Sequence, residues 1–280
     1  MSITDELRQM AFAKGMYYFG TAPISRWDHA PEGFKPQDLL PSAKSVIVIG
    51  RQIPKGTVQA NNNSYDNKRH GIFTYMMFGY DKVSDFIENA IWDMNKYLEN
   101  IDAKTFMIPA SVGREEEGMF GMFSNRHAAV CAGLAEFGWN GVALTPDNGP
   151  RVRWGTLITS LELEYSQMLY KDKPLCSQCG YCIKICPVNA LSEMEEVSLQ
   201  IEDKIISYKK LIKPVCRTAQ TGLAKGSSGR LQADVEGKVE TVYDWLKMVK
   251  NDDKWNRRER TAAMCGRCMI SCKSGELADT

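Results

Sequence analysis

Four cysteines within eleven residues constrain this chain more than any other feature of its sequence. The run CSQCGYCIKICP places Cys176, Cys179, Cys182 and Cys186 at the spacing C-x2-C-x2-C-x3-C, with Pro187 directly after them. This spacing wraps three thiolates around one 4Fe–4S cube and directs the fourth thiolate toward a second cube. A zinc site, the alternative, uses separate paired CxxC knuckles. The run therefore predicts an iron–sulfur module.

Four later cysteines supply the ligands that a second cube needs. Cys265, Cys268 and Cys272 are spaced C-x2-C-x3-C, and Cys216 lies between the two groups. Because Cys186 is expected to cross to the second cube, a later cysteine must cross back to the first. We assign one cube to Cys176, Cys179, Cys182 and Cys272, and the other to Cys186, Cys216, Cys265 and Cys268.

The ninth cysteine, Cys131, stands apart from the others. In a reducing cytosol, clustering of the other eight favours metal ligation over disulfides. Cys131 lies among alanines on a predicted helix, where a free cysteine packs as a small hydrophobic residue. We expect a core position, with a reactive thiol as the alternative.

Composition excludes some classes of partner. The 280 residues are 44% hydrophobic and 25% charged, which is typical of globular proteins of one or two domains. The net charge of +1 gives no basic excess, so neither nucleic acid nor a membrane surface is an expected partner. No apolar run approaches the roughly 20 residues that span a bilayer, and the N-terminus lacks a signal-peptide core. We therefore expect a cytoplasmic protein.

Hydrophobic periodicity divides the chain into two parts. Residues 1–170 alternate between helical and strand-like patterns, which predicts an α/β domain. The polar, Asn-rich stretch 51–71 is typical of a loop. Residues 171–280, rich in cysteine, lysine and glycine, are expected to form a ferredoxin-like domain, so that the fold class is α+β. Helices are predicted over residues 3–14, 80–100 and 124–138, and strands over residues 45–50, 105–110, 142–145 and 155–164.

Three stretches together resemble a known family. They are LPSAKSVIVIG near the start, AGLAEFGWNGVALTPDNGPRVRWGTLITSLEL in the middle, and the cysteine run that follows. They are similar to the epoxyqueuosine reductase and reductive dehalogenase superfamily, from about residue 40 to residue 272. The resemblance implies a nitroreductase-like domain that binds base-off cobalamin, and two 4Fe–4S clusters that feed electrons to the cobalt. It also implies a small-molecule substrate and a low-potential electron donor such as ferredoxin or flavodoxin.

The resemblance also implies which residues contact cobalamin. Glycines without a Cβ would let the backbone approach a corrin ring closely, although they are equally suited to turns and helix ends. Two arginines beside the turn before the last predicted strand would hold corrin propionamides or a substrate carboxylate, or would be surface charges. The expected contacts are Gly133, Gly138, Trp139, Asn140, Gly141, Arg151 and Arg153.

Proton donation is expected from a tyrosine supported by a basic residue, as the dehalogenase resemblance implies. Tyr75 and Tyr80 are the candidate tyrosines, and Arg126 and His127 are the candidate basic residues. A histidine suits proton donation near neutral pH, and an arginine beside a tyrosine lowers its pKa. Each of these residues has a packing or surface role as its alternative.

Some features depart from the family pattern. The aspartate of the DSAP-like stretch in epoxyqueuosine reductases has no counterpart in residues 108–113. We also expect no transfer-RNA-binding tail and no export signal, so that the chain is a short cytosolic relative with its own substrate. Residues 113–123 are expected to form either a lid or a solvated loop.

Three functions stay open at this point. The first is a cobalamin- and iron–sulfur-dependent reductase. The second is an electron-transfer or corrinoid-reactivating protein without a small-molecule substrate. The third is a flavin-binding reductase, because nitroreductase-like folds often bind flavin, although no clear phosphate-binding motif is present.

Overall fold

The structure, a computed structural model, describes residues 1–67, 71–111, 119–169, 174–220, 239–241, 243–244, 247 and 265–275. The expected domain boundary near residue 171 and most of the expected lid fall outside these ranges. The division into domains 1–170 and 171–280 therefore stays a prediction.

Helices and strands alternate along the described chain, as the sequence predicts. The helices are α1 (Ile3–Ala13), α2 (Pro36–Leu39), α3 (Lys55–Asn67), α4 (Gly71–Thr74), α5 (Lys82–Glu99), α6 (Asn125–Cys131), α7 (Tyr181–Lys184), α8 (Lys213–Gln220) and α9 (Arg267–Ile270). A 3-10 turn covers Ile24–Trp27, and a π-helix, Tyr75–Asp81, joins α4 to α5. The strands are β1 (Tyr18–Pro23), β2 (Ser45–Gln52), β3 (Thr105–Ile108), β4 (Glu136–Phe137), β5 (Ala143–Leu144), β6 (Val152–Thr159), β7 (Leu191–Ile201) and β8 (Lys204–Leu211).

A four-stranded antiparallel sheet lies at the centre, in the order β1-β2-β6-β3. Residues of β2 alternate between its two faces. On one face Ile47 and Ile49 pack with α1 and α5, and on the other Val48 packs with α6. The sheet is thus covered on both sides, which explains why residues 46–49 of β2 are all apolar.

The prediction of a loop over residues 51–71 is wrong. Strand β2 continues to Gln52, and α3 covers Lys55–Asn67. Val58 of this helix packs in an apolar cluster with Ile72, Tyr75 and Ile270. Contacts with the π-helix and with α9 therefore stabilise α3, although its sequence lacks a helical apolar stripe.

The helix predicted over residues 124–138 is too long. Ser124 caps α6, because its Oγ accepts the His127 N–H at 3.4 Å. The helix ends at Cys131, and Gly133 has a φ of +69°, in the left-handed region that glycine adopts easily. Residues 136–137 form β4, which pairs with β5.

Strands β7 and β8 form a hairpin that the sequence did not predict. Ile201 at the end of β7 is buried in the same core cluster as α6, and Tyr208 of β8 packs against that cluster. The hairpin thereby connects the region after the first cysteine run to the sheet. Within the described ranges no helix is long and apolar enough to cross a membrane.

Candidate iron–sulfur and redox site

The two cysteine runs adopt the same local structure. Helix α7 begins after Cys179 and Gly180, and α9 begins after Cys265 and Gly266. The two glycines have φ values of +71° and +58°, a left-handed conformation that suits glycine. Both runs read C-G-x-C-x3-C, so one turn followed by one short helix gives both the same thiol spacing.

Four thiols form a first group. Burial raises the pKa of the Cys182 thiol to about 11, and the thiols of Cys176, Cys272 and Cys179 raise it further. Burial also raises the pKa of Cys272, to which Cys176 and Cys179 again contribute. These four cysteines are the set predicted for the first cube.

A second group of thiols surrounds Cys268. Burial raises the pKa of its thiol, and Cys216, Cys265, Cys186 and Cys182 add to the rise, in that order. Apart from Cys182, these are the partners predicted for Cys268 in the second cube. The contribution of Cys182 to the raised pKa of Cys268 indicates that the two groups adjoin.

Backbone amides point at two of the sulfurs. The N–H of Trp139 donates to Cys176 Sγ at 3.3 Å, and the N–H of Ala190 donates to Cys186 Sγ at 3.2 Å. Such donors favour the thiolate over the thiol and tune the potential of a bound cluster. The donors and the grouped thiols fit 4Fe–4S clusters.

A single metal ion fits this arrangement less well. Among the described residues, no three His, Cys, Asp or Glu side chains converge as the ligands of one ion do. Each thiolate of a cube binds a different iron, so these thiolates lie farther apart than those around one zinc ion.

The two thiol groups differ in exposure. Cys179 of the first group is exposed, whereas Cys265 of the second is buried. The second group lies beside Tyr75, whose pKa is raised by burial and, in smaller part, by Tyr80, Cys268 and Cys265. The second group is thus the inner one.

Tyr80 and Arg153 form a contact close to this inner group. The guanidinium carbon of Arg153 lies 3.6 Å from the centre of the Tyr80 ring. Arg153 is held there by Ser84 Oγ at 3.0 Å and by the Ala110 carbonyl at 3.1 Å. The Tyr80 hydroxyl lies 2.5 Å from Ser111 Oγ, at an exposed position. Ser84 and Ser111 carry no signal in the sequence that could have identified them.

Arg126 and His127 lie elsewhere. They belong to α6, on the sheet face opposite α5, and Arg126 donates to the Gly141 carbonyl. The His127 ring has Ser124 Oγ 2.6 Å from Nδ1 and the Tyr208 hydroxyl 3.3 Å from Nε2. Burial, with a smaller effect of Arg126, lowers the pKa of His127 to about 3. A neutral ring with both nitrogens engaged does not suit the expected role of proton donor.

The expected cobalamin glycines make internal contacts. A Cβ on Gly133 would lie 1.9 Å from the Gln167 carbonyl oxygen, and one on Gly141 would lie 2.9 Å from the Tyr208 ring. Gly138 packs against Leu144 in the same way, at 3.0 Å. At each glycine the close approach at the Cβ position comes from the chain itself, and the expected contact with cobalamin stays a prediction.

Other expected cobalamin contacts hold the cysteine segments. Asn140 is buried, and its Nδ2 donates to the Cys268 carbonyl at 3.2 Å. Arg151 is also buried and donates to the Cys272 carbonyl at 2.9 Å. Trp139 donates its N–H to Cys176, and the Lys209 ammonium lies 4.9 Å from its ring centre. The side chains of Asn140 and Arg151 are thus engaged within the protein, and their expected contact with cobalamin stays a prediction.

The lone Cys131 is in the core, as predicted. Its side chain is buried, and burial raises the pKa of its thiol to about 12. A protonated, buried thiol is unreactive.

Comparison with known proteins identifies the first cysteine run. Residues 169–192 match the family described as "4Fe-4S binding domain". This range contains Cys176, Cys179, Cys182 and Cys186. The prediction of an iron–sulfur module is confirmed.

Two groups of reductases are similar in sequence. The chain is 31% identical over 162 residues to an epoxyqueuosine reductase of Bacillus cereus, a match that covers 56% of this chain and 38% of that protein. It is 40% identical over 83 residues to a tetrachloroethene reductive dehalogenase of Desulfitobacterium hafniense, covering 27% and 14%. The resemblance predicted from the sequence is confirmed, and these relatives are oxidoreductases. The chain spans well under two thirds of the length of either one.

A solved structure shares the fold. A reductive dehalogenase, whose structure is described as suggesting a mechanism for B12-dependent dehalogenation, superposes with a TM-score of 0.58 at 16% identity. The alignment covers 88% of this chain and 33% of that one. At this identity the likeness concerns the fold alone.

Proposed function

We propose that this protein is a reductase in which two 4Fe–4S clusters pass electrons to a bound cobalamin, which reduces a small organic substrate. One observation carries the proposal: thiols from three separate stretches of the chain gather into two adjoining groups. The similarity to two kinds of reductase supports the same conclusion.

Electrons would enter at the outer thiol group and leave from the inner one. Cys179 is exposed, and two lysines near this group, Lys184 and Lys273, are exposed as well. A positive surface suits a negatively charged, low-potential donor such as ferredoxin or flavodoxin. The buried inner group, beside Tyr75, would deliver electrons to the reacting centre.

Cobalamin is proposed on the similarity to reductive dehalogenases, one of which is described as B12-dependent. When bound, it supplies a cobalt centre that can be reduced to a strong reductant. The cobalamin contacts that the resemblance implies stay predictions, and Gly133, Gly141, Asn140 and Arg151 also make contacts within the protein. We therefore assign no residues to its binding.

Tyr80 is the proton donor that the geometry favours. Its hydroxyl is exposed and paired with Ser111, so it can reach a substrate, and the Arg153 guanidinium covers its ring. After proton donation, the cation would stabilise the negative charge on the phenolate oxygen and ring. Tyr75 is less suited, because burial raises its pKa and removes it from solvent.

The substrate is proposed only as a small organic molecule. The expectation that nucleic acid is not a partner stays a prediction, and some relatives are epoxyqueuosine reductases. An epoxyqueuosine-containing stem loop is therefore one of the compounds to be tried, beside an organohalide.

The test is a binding measurement under anaerobic conditions. The protein is reconstituted with iron and sulfide, mixed with cobalamin or with flavin, and examined by absorption and EPR spectroscopy. We expect one base-off cobalamin per chain, reducible through the clusters. If both clusters are present and neither cofactor binds, the reductase proposal is wrong and the electron-transfer function is favoured. Binding of flavin instead of cobalamin would identify the third function.

A further inference from the structure

Arg151 lies buried beside the end of the second cysteine run. Its side chain is 2% exposed. Its guanidinium donates to the carbonyls of Cys272 at 2.9 Å, Ser274 at 2.8 Å and Gly275 at 3.4 Å. These hydrogen bonds fix the backbone of the segment that carries Cys272, one of the proposed cluster ligands.

The backbones of the two segments also touch. A Cβ on Gly149 would lie 1.9 Å from the Ser274 carbonyl oxygen, and one on Gly275 would lie 2.3 Å from the Gly149 nitrogen. Both glycines have positive φ values, +54° and +79°. Residues 272–275 are therefore held against the turn that precedes β6, and the position of Cys272 depends on that turn.

The charge of Arg151 needs a counterpart. A buried cation is costly unless it is paired and fully hydrogen-bonded. The described residues offer it carbonyl oxygens but no carboxylate hydrogen bond, and its Nε–H is buried without an acceptor. A cluster held by thiolates carries net negative charge. It would supply the full negative charge that neutral carbonyl oxygens lack.

We propose that Arg151 positions Cys272 and raises the reduction potential of the cluster that Cys272 ligates. Its forked hydrogen bonds hold residues 272–275 in place, and its permanent charge stabilises the reduced cluster, which carries one more negative charge than the oxidised form. The inference rests on the iron–sulfur part of the proposed function and is independent of cobalamin.

Three variants separate charge from general packing. Arg151→Lys keeps the charge but loses the forked hydrogen bonds, and Arg151→Gln loses both. Arg26→Gln is the matched control, because Arg26 is also buried, at 8% exposure, and donates to the carbonyls of Cys131 and Ser166. Iron per chain and the potentials of both clusters, by EPR-monitored titration, are measured on the full-length reconstituted protein. Cys272→Ala identifies which EPR signal belongs to the cluster in question.

We expect Arg151→Gln to shift the potential of that one cluster downward, Arg151→Lys to shift it less, and Arg26→Gln to shift neither cluster. If Arg151→Gln loses the cluster, Arg151→Lys decides between the outcomes. Retention of the cluster in Arg151→Lys, at a potential close to that of the wild type, supports the proposal, and loss of the cluster in Arg151→Lys as well overturns it. Full iron content with unchanged potentials in Arg151→Gln also overturns it. Failure of the wild type to hold two clusters would instead refute the proposed function.

Discussion

The ring of Tyr80 lies beneath the guanidinium of Arg153, a pair that belongs to two different elements. The family resemblance implies a tyrosine with a basic partner, for which the sequence offers Arg126, and Arg126 donates to the Gly141 carbonyl on the other side of the sheet. A pairing of this kind depends on which sheet face each residue occupies. Periodicity within β6 alone could not assign Arg153 to the side of α5, where Ser84 holds it.

Replacement of Tyr80 by Phe tests the proposed proton donor. The variant keeps the ring under Arg153 and removes the hydroxyl. We expect kcat to fall by about 100-fold, the usual contribution of a positioned acid, with iron content unchanged. The assay is reduction of an organohalide or an epoxyqueuosine-containing stem loop by chemically reduced protein.

The matched control for this variant is Tyr17→Phe, since Tyr17 is 60% exposed. It should retain wild-type kcat. A Tyr80→Phe variant with wild-type kcat on a substrate that the native protein reduces would rule out Tyr80 as the donor.

His127 gives the folded protein a pH dependence. Its pKa is about 3 when folded, mainly because of burial, against 6.5 for a free histidine. Below pH 6.5 the unfolded chain takes up a proton that the folded chain does not, so stability is lost as pH falls from 6.5 toward 3 and is fully present above 6.5. Between pH 7.5 and 5.5 this one group should lower the free energy of unfolding by roughly 1 kcal/mol.

The His127→Gln variant should lose that part of the pH dependence in urea unfolding under anaerobic conditions. His29, which is exposed, provides the control, and His29→Gln should follow the wild type. Equal pH dependence in His127→Gln and the wild type would show that the ring is not held neutral by burial.

At the scale of elements, α5 packs closely on β6 at a glycine. A Cβ on Gly155 would lie 2.3 Å from Ile87 Cγ2 and 2.6 Å from Ile91 Cδ1. Gly155→Ala should therefore destabilise the protein by about 1–3 kcal/mol through overpacking. Gly56→Ala in α3 is the control, because no atom lies within 4 Å of its added Cβ. Thermal unfolding of the two variants measures the difference, and equal midpoints would contradict this packing.

Elements with a strong local signal could be predicted from the sequence. Helices α1 and α5 have apolar stripes, β2 is a continuous apolar run, and the cysteine spacing specifies the turn before α7. Elements stabilised by distant contacts could not. Helix α3 packs against Ile270, which lies far along the chain, and the charged β7–β8 hairpin is attached through Ile201 and Tyr208.

Features of the site that depend on distant contacts likewise could not be predicted from the sequence. The proposed grouping of the eight cysteines follows from their spacing and from the crossing rule for two cubes. The roles of Asn140 and Arg151 do not, because they depend on where the C-terminal cysteine segment docks. For both residues the family resemblance implies contacts with the cofactor instead.

At the scale of the whole molecule, one ligand set is assembled from segments that are far apart in the chain. Cys186 is the last cysteine of the first run, Cys216 lies on α8, and Cys265 and Cys268 belong to the second run. The sheet domain contacts both runs, through Trp139 at Cys176 and Arg151 at Cys272. Binding of the clusters should therefore stabilise the folded sheet, and folding of the sheet should bring the cluster ligands together.

We propose that eight cysteines hold two 4Fe–4S clusters, with Cys216 completing the inner one. Iron and acid-labile sulfide per chain, measured after anaerobic reconstitution, test it most directly. We predict about eight irons in the wild type and in Cys131→Ala, and about four in Cys216→Ala. About four irons in the wild type, or about eight in Cys216→Ala, would contradict the account.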